Sequence, residues 1–357
     1  APCAPTVAPG TIAGMAGRPD TDVVIVEAVR SPIGKRNGGL ATVHPAELLA
    51  TVQRATIERS GIDPAEVGQV IAGCVSQTGE QTFNIARTAW LTAGLPIEVA
   101  GTTVDAQCGS SQQATNLGAA LVAAGVVDVV LAGGVESMSR VPLGAAVSAG
   151  PGRPLPKPYF ERFEYSTQFE GAQRIAEKWG VSREDCDRFG LRSQQLAQAA
   201  WAEGRFEREV LPIDTPDRGE DDTPATSTHR VDRDEGLRET SLEALAALKP
   251  IGGDDGVHTA GTSSQISDGA AAVLLTSAAR ADALGLRPRG PHRRPVPGRC
   301  RPLPHAHGTD RRHPAPVRAH RTRHGRPGHH RDQRGVRVRR ARLGPRGPAR
   351  YEHREPQ

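Results

Sequence analysis

One stretch of this chain sets a nucleophile where the backbone changes direction. In VDAQCGSSQQA, residues 104–114, an apolar run ends, Cys108 follows, and a helix-forming run opens within two or three residues. A thiol at a helix start faces unpaired N–H groups and the positive end of the macrodipole, and both favour a thiolate. Gly109, Ser110 and Ser111 are small, so a bulky thioester could approach the backbone and find oxyanion donors there. From residue type alone the plainer reading is a buried structural cysteine at a tight turn, because free cysteines are among the most buried residues. Cys74, in a strand, and Cys186, in a helix, lack this setting and read as structural.

Three further segments carry chemistry-bearing residues. LAGGVESMS, residues 131–139, puts two glycines and then Glu136 after a strand. RSPIG, residues 30–34, is an arginine and a turn after the first strand. TAGTSSQISDGAAA, residues 259–272, is rich in Gly and Ser but lacks the spacing and lysine of a phosphate-binding loop, which excludes nucleotide hydrolysis of that kind. His44, His229 and His258 are scattered, and none has zinc spacing with a cysteine, so no metal is expected.

The elements that must position these residues alternate between strand and helix. Residues 23–26, 67–75, 101–105 and 128–131 read as short buried strands. Residues 45–61, 84–94 and 110–125 read as helices, the first two with glycine at the end. This is an α/β pattern, with a parallel or mixed sheet covered on both faces. From about residue 142 to 255 the pattern breaks into an insertion. It holds a Gly/Pro-rich loop at 142–158, a capped helix from Ser182 to about Ala202, a polar exposed stretch at 214–235 and a short helix at 242–248. A strand then follows the Gly/Ser-rich turn, within residues 259–275.

Composition sets the outer limits. The 357 residues suffice for two ordinary domains, and no apolar run approaches the 18 residues of a membrane span. Five cysteines do not make a disulfide scaffold, which with the missing secretory pattern points to the cytoplasm. The net charge of +5 conceals a break. Residues 287–357 hold 21 Arg, no Lys and four acids, a net of +17, leaving −12 for the rest. Residues 1–20, rich in Ala, Pro and Gly, read as a disordered extension, and Met15 as a natural start. The Arg-, Pro- and His-rich tail at 287–357 reads as disordered. It has no stacking platform or groove-reading motif, so no specific nucleic acid is expected.

Taken in order, RSPIG, QCGSS, GGVESMS and TAGTSSQISDGAAAVLL resemble the signatures of the thiolase family, and SREDCDRFGLRSQQLAQAA resembles its loop-domain helix. The resemblance covers about residues 21–286 and turns Cys108 into the expected nucleophile. It implies a layered αβαβα fold of two similar halves, with this chain supplying the N-terminal one and a loop domain inserted at about 142–255. It implies acyl transfer between coenzyme A thioesters through an acyl-Cys108 enzyme, as thiolysis of a 3-ketoacyl-CoA or as Claisen condensation. Acyl-CoA and CoA are then substrates, with no permanently bound cofactor. Arg238, in DEGLRETSLEAL, and Ser264, in TAGTSS, carry over as CoA contacts, and a homodimer or homotetramer without membrane association is implied. Asp105 and Thr262 stand where many relatives have Asn. QFEGAQRIAEKW, residues 168–179, replaces a Met-Gly segment of short-chain enzymes and leans towards bulkier acyl chains, including steroid side chains.

The family's second half brings an Asn-Glu-Ala-Phe segment, a Gly-His-Pro segment whose His activates the nucleophile, and a second, acid/base Cys. None is present, and Cys300 in GRCRPLP matches none of them. The tail offers a reason. HHRDQRGVRVRR, residues 329–340, written in GC-rich codons and read one base later, translates as I-I-E-I-N-E-A-F-A-S-V. A frameshift near residues 284–290 is therefore expected, with the C-terminal half garbled. The alternative function is a non-catalytic fragment that at most binds CoA.

Overall fold

The structure is a computed structural model that describes residues 22–148, 152–219 and 224–291. Its first half alternates strand and helix: β1 (Val23–Arg30), β2 (Gly34–Lys35), α1 (Pro45–Ser60), β3 (Gln69–Gly73), α2 (Ile85–Thr92), β4 (Ala100–Val104), α3 (Ser110–Ala123) and β5 (Val129–Ser137). The insertion holds α4 (Ala145–Ser148), α5 (Lys157–Phe160), α6 (Gln168–Trp179), α7 (Arg183–Ala202), a hairpin of β6 (Ile213–Arg218) and β7 (Pro224–Val231), and α8 (Leu242–Ala246). β8 (Ser267–Ser277), α9 (Ala278–Ala283) and β9 (Gly290–Pro291) complete the described chain.

The main sheet runs β4-β3-β5-β8-β1-β9, with β2 beside β8. It is mixed: β3 is parallel to β4 and β5, while β8 runs antiparallel to both β5 and β1. Strand side chains alternate between two cores. Val70, Ala72, Leu131 and Leu274 face α1 and α2, whereas Ile71, Val130, Ala132 and Leu275 face α3. Leu48, Leu49 and Val52 of α1 are fully buried, and each contributes about 2 kcal/mol in area removed from water. Trp90 of α2 is also sealed, its indole N–H donating to Pro96 O at 2.7 Å. These are α, β and α layers of the expected fold. Unlike the α1/α2 face, the opposite face carries α3 alone among the described residues, and Leu117 and Ala120 on the outer side of α3 are exposed.

Capping follows the sequence. Ser182 caps α7 and forms a reciprocal box with Asp185; Gly61 closes α1 at φ 72°. Three expectations change. β5 continues through Gly133, Gly134 and Glu136 instead of ending at residue 131, because those glycines lie against neighbouring backbone. The polar stretch at 214–235 contains the β6–β7 hairpin, in which Ile213 and Thr215 turn inward while Asp214 and Arg218 face out. The sheet also reaches residue 291: Arg289 N donates to Ile25 O at 2.7 Å and its guanidinium pairs with Glu27 at 2.5 Å. The expectations for residues 1–20 and for the tail beyond 291 lie outside the described residues.

Candidate active site

Between β4 and α3 the chain turns through Asp105, Ala106, Gln107, Cys108 and Gly109. The Asp105 carboxylate accepts from Gln107 N at 2.7 Å, an Asx turn. Gln107 takes the left-handed conformation, φ 52°, which a non-glycine residue adopts at a cost of about 1 kcal/mol. Ser110 stitches the turn: its hydroxyl donates to Gln107 O at 2.6 Å and accepts from Ala106 N at 3.0 Å. Cys108 is left exposed at the head of a 14-residue helix.

Two glycines set where that helix starts. A Cβ at Gly73 would lie 2.3 Å from Ser111 N, and one at Gly134 would lie 2.1 Å from Ser111 Oγ. No side chain fits at either position, so the α3 N-terminus rests on bare strand backbone. Gly134 of GGVESMS, on β5, thus serves the thiol together with Gly73 of β3, whereas Gly133 lies against the backbone of β8.

Cys108 opens into a cavity of about 470 Å³. Arg30, Ser31 and Ile33 come to it from RSPIG, Glu136 and Met138 from GGVESMS, and Gly269 to Ala271 from the start of β8. The other walls include Val75, Leu143 and Gln168. Glu136 does not point free: its carboxylate accepts from Val75 N at 2.9 Å, Ser76 N at 3.3 Å and Gln81 Nε2 at 2.9 Å. Gln81, wholly buried, also accepts from Ser137 N at 2.8 Å. Gln81 was invisible in the sequence, where a glutamine in a turn carries no signal. Cys74 lines the same cavity but is buried. Burial, then the negative charges of Glu136 and Asp105, push its thiol up to about 12, so it stays protonated at neutral pH. Among the described residues no histidine lines this cavity.

Arg238 and Ser264 do not join Cys108. They line a second cavity of about 410 Å³ together with Phe189, Leu248 and Thr262. The Arg238 backbone is held on both sides, N donating to Gln194 Oε1 and O accepting from Gln198 Nε2, each at 3.0 Å. The TAGTSS turn is tied by its own hydroxyls. Thr259 N donates to Thr262 Oγ1 at 3.0 Å, and Ser263 Oγ donates to Thr259 O at 2.8 Å. Among the described residues no cluster of His, Cys, Asp and Glu could hold a metal ion, and no helix is long and apolar enough to cross a membrane.

The profile of the thiolase N-terminal domain matches residues 23–279. A steroid 3-ketoacyl-CoA thiolase of Mycobacterium tuberculosis is 44% identical over 277 residues, covering 75% of this chain and 65% of that protein. A 3-ketoacyl-CoA thiolase of Bacillus subtilis is 41% identical, covering 75% and 68%. The crystal structure of the Bacillus anthracis acetyl-CoA acetyltransferase superposes with a TM-score of 0.65 at 36% identity, covering 75% of this chain and 68% of that one. The chain therefore spans about two thirds of the length of these relatives.

Proposed function

Because the chain belongs to the thiolase family, we propose that it carries the nucleophilic half of an acyltransferase acting on coenzyme A thioesters. The observation that supports this most is Cys108: exposed at the head of α3, in a cavity that three separated signature segments converge to enclose. The thiolate attacks the thioester carbonyl, a new S–C bond forms, and the coenzyme A thiolate leaves and takes a proton. In thiolysis the thiolate instead attacks the C3 carbonyl of a 3-ketoacyl-CoA, an S–C bond forms there as C2–C3 breaks, and the C2 carbanion leaves as acetyl-CoA on taking up the proton that the thiol released. Free CoA then lifts the acyl group from Cys108. Arg238 and Ser264 hold CoA in the second cavity, as substrate rather than resident cofactor. Ile33, Val75, Met138 and Leu143 give the thiol cavity apolar walls suited to an acyl chain bulkier than acetyl.

The second reading, a fragment that at most binds CoA, is favoured by the lack of a Gly-His-Pro segment to supply the base. Incubation with acetyl-CoA followed by peptide mass spectrometry separates the two. An acetyl group on Cys108, lost in Cys108→Ser, supports acyl transfer; bound CoA with no acyl-cysteine supports the fragment.

The domain reading is a thiolase N-terminal half at 21–286 with its loop domain, followed by a C-terminal half encoded out of frame. Resequencing that finds one uninterrupted frame as printed overturns the latter. We also assign homo-oligomer formation to β4, an edge strand whose residues are exposed or half-buried, next to the exposed Phe83 and Ile97. Light scattering on the purified chain reads that state.

A further inference from the structure

Arg30 ends β1, lines the thiol cavity, and sends its guanidinium into the insertion. Its Nη1 and Nη2 donate to the two oxygens of Asp234 at 2.7 and 3.1 Å, and its Nε donates to Glu209 at 2.9 Å. The guanidinium carbon stands 5.2 Å from the centre of the Phe206 ring, which packs on Trp201, whose Nε1 donates to Asp234 at 3.2 Å. Ile33 N also donates to Asp234, at 2.8 Å. The next residue repeats the pattern: Glu235 accepts from Lys35 N and Gly39 N, each at 3.1 Å, and its own N donates to Ile33 O. Gly236 O then accepts from Gln265 Nε2 at 2.9 Å. Two residues later comes Arg238.

Residues 234–238 thus form a strap. One end is bolted to the loop after β1, which walls the thiol cavity; the other carries a wall of the second cavity. A planar fork on a carboxylate fixes direction as well as distance. With side chains only 19% and 16% exposed, the Arg30–Asp234 pair is partly shielded from solvent screening. Nothing in the acyl-transfer chemistry calls for a carboxylate at 234, and the residue lies outside the thiol cavity.

We propose that Arg30 and Asp234 are positioning residues that set the spacing between the Cys108 thiol and the cavity that takes the nucleotide end of coenzyme A. The proposal rests on the acyl-transfer reading above. A coenzyme A thioester must span both cavities, whereas a truncated thioester such as S-acetyl-N-acetylcysteamine engages only the first.

The test uses Asp234→Asn in the full chain, which turns an amide N–H₂ towards donors that now meet a carboxylate oxygen. Coenzyme A affinity, read by titration calorimetry, is expected to weaken about ten-fold, the scale of losing a charge-assisted, partly buried pair. Cys108 acetylation by the truncated thioester changes far less. Hydrogen exchange rises across residues 233–240 and not in β5 or β8. Unchanged exchange at 233–240 overturns the proposal. So does an equal loss with both thioesters, or faster exchange throughout the chain, because either marks a general loss of folding. If the parent protein neither binds coenzyme A nor is acetylated, the acyl-transfer reading and the spacing role fall together. If it binds coenzyme A without acetylation, acyl transfer fails while affinity and exchange still decide the spacing role.

Discussion

At Cys108 close packing of helix on bare strand backbone leads the holding, helped by the short side chains of Asp105 and Ser110; at Arg238 a set of longer polar side chains does it. The thiol turn is fixed by strand–helix contact across Gly73 and Gly134, an Asx turn and a left-handed Gln107. The Arg238 segment hangs from Asp234, Glu235, Gln194, Gln198 and Gln265. A position set by atomic contact has no graded response: an added methyl either fits or forces the backbone apart. A position set by polar side chains can be adjusted one bond at a time. The geometry at the thiol is therefore rigid, and the geometry of coenzyme A capture is tunable.

The sharpest way to break that contrast is Gly134→Ala. Its methyl would meet Ser111 Oγ at 2.1 Å and Gly73 O at 2.5 Å. A loss of about 3 kcal/mol or more is expected, read as a fall in the denaturation midpoint; unaltered stability would mean that α3 slides freely on the sheet. Arg238→Ala should act on the other region alone, weakening coenzyme A about ten-fold, the loss of a charged contact to a phosphate, while iodoacetamide alkylates Cys108 at its former rate. The cysteines offer a third test. With its thiol pushed up to about 12 by burial, Cys74 stays protonated as pH rises past the ordinary thiol range near 8.5. Alkylation at about pH 8 should then mark Cys108 and spare Cys74 until denaturant is added. The smallest effect belongs to Glu80, whose carboxyl is held below its ordinary range by the hydrogen bond from Arg140. That stabilisation is complete above the ordinary carboxylate range and lost as pH falls through the lowered value. Because the pair is about a quarter to a third exposed, Glu80→Gln should cost only about 0.5 kcal/mol at neutral pH, measured by chemical denaturation.

Local chemistry made much of the fold legible. The helix ending at Gly61 and the box at Ser182 rest on contacts within a few residues, and the strand at 23–26 announces itself by its apolar run although its ladder partners are Leu275 to Ser277; each stands close to where it was expected. The segments around the thiol were legible as types but not as neighbours, since Ile33, Glu136 and Ala270 meet Cys108 only through strand pairing. What stayed hidden has long-range causes. The β6–β7 hairpin reads as a polar loop because its outward residues, Asp214, Arg218 and Arg230 among them, outweigh the inward ones. Asp234 looks like another acid in an acidic stretch until Arg30, 204 positions away, arrives beside it.

One more consequence lies in the uneven dressing of the sheet. Leu117 and Ala120 stand on a helix that nothing overlies among the described residues, on the side of the sheet opposite α1 and α2. An element laid over that helix would take this apolar surface out of water, so the bare side of the sheet is where a further layer would gain most.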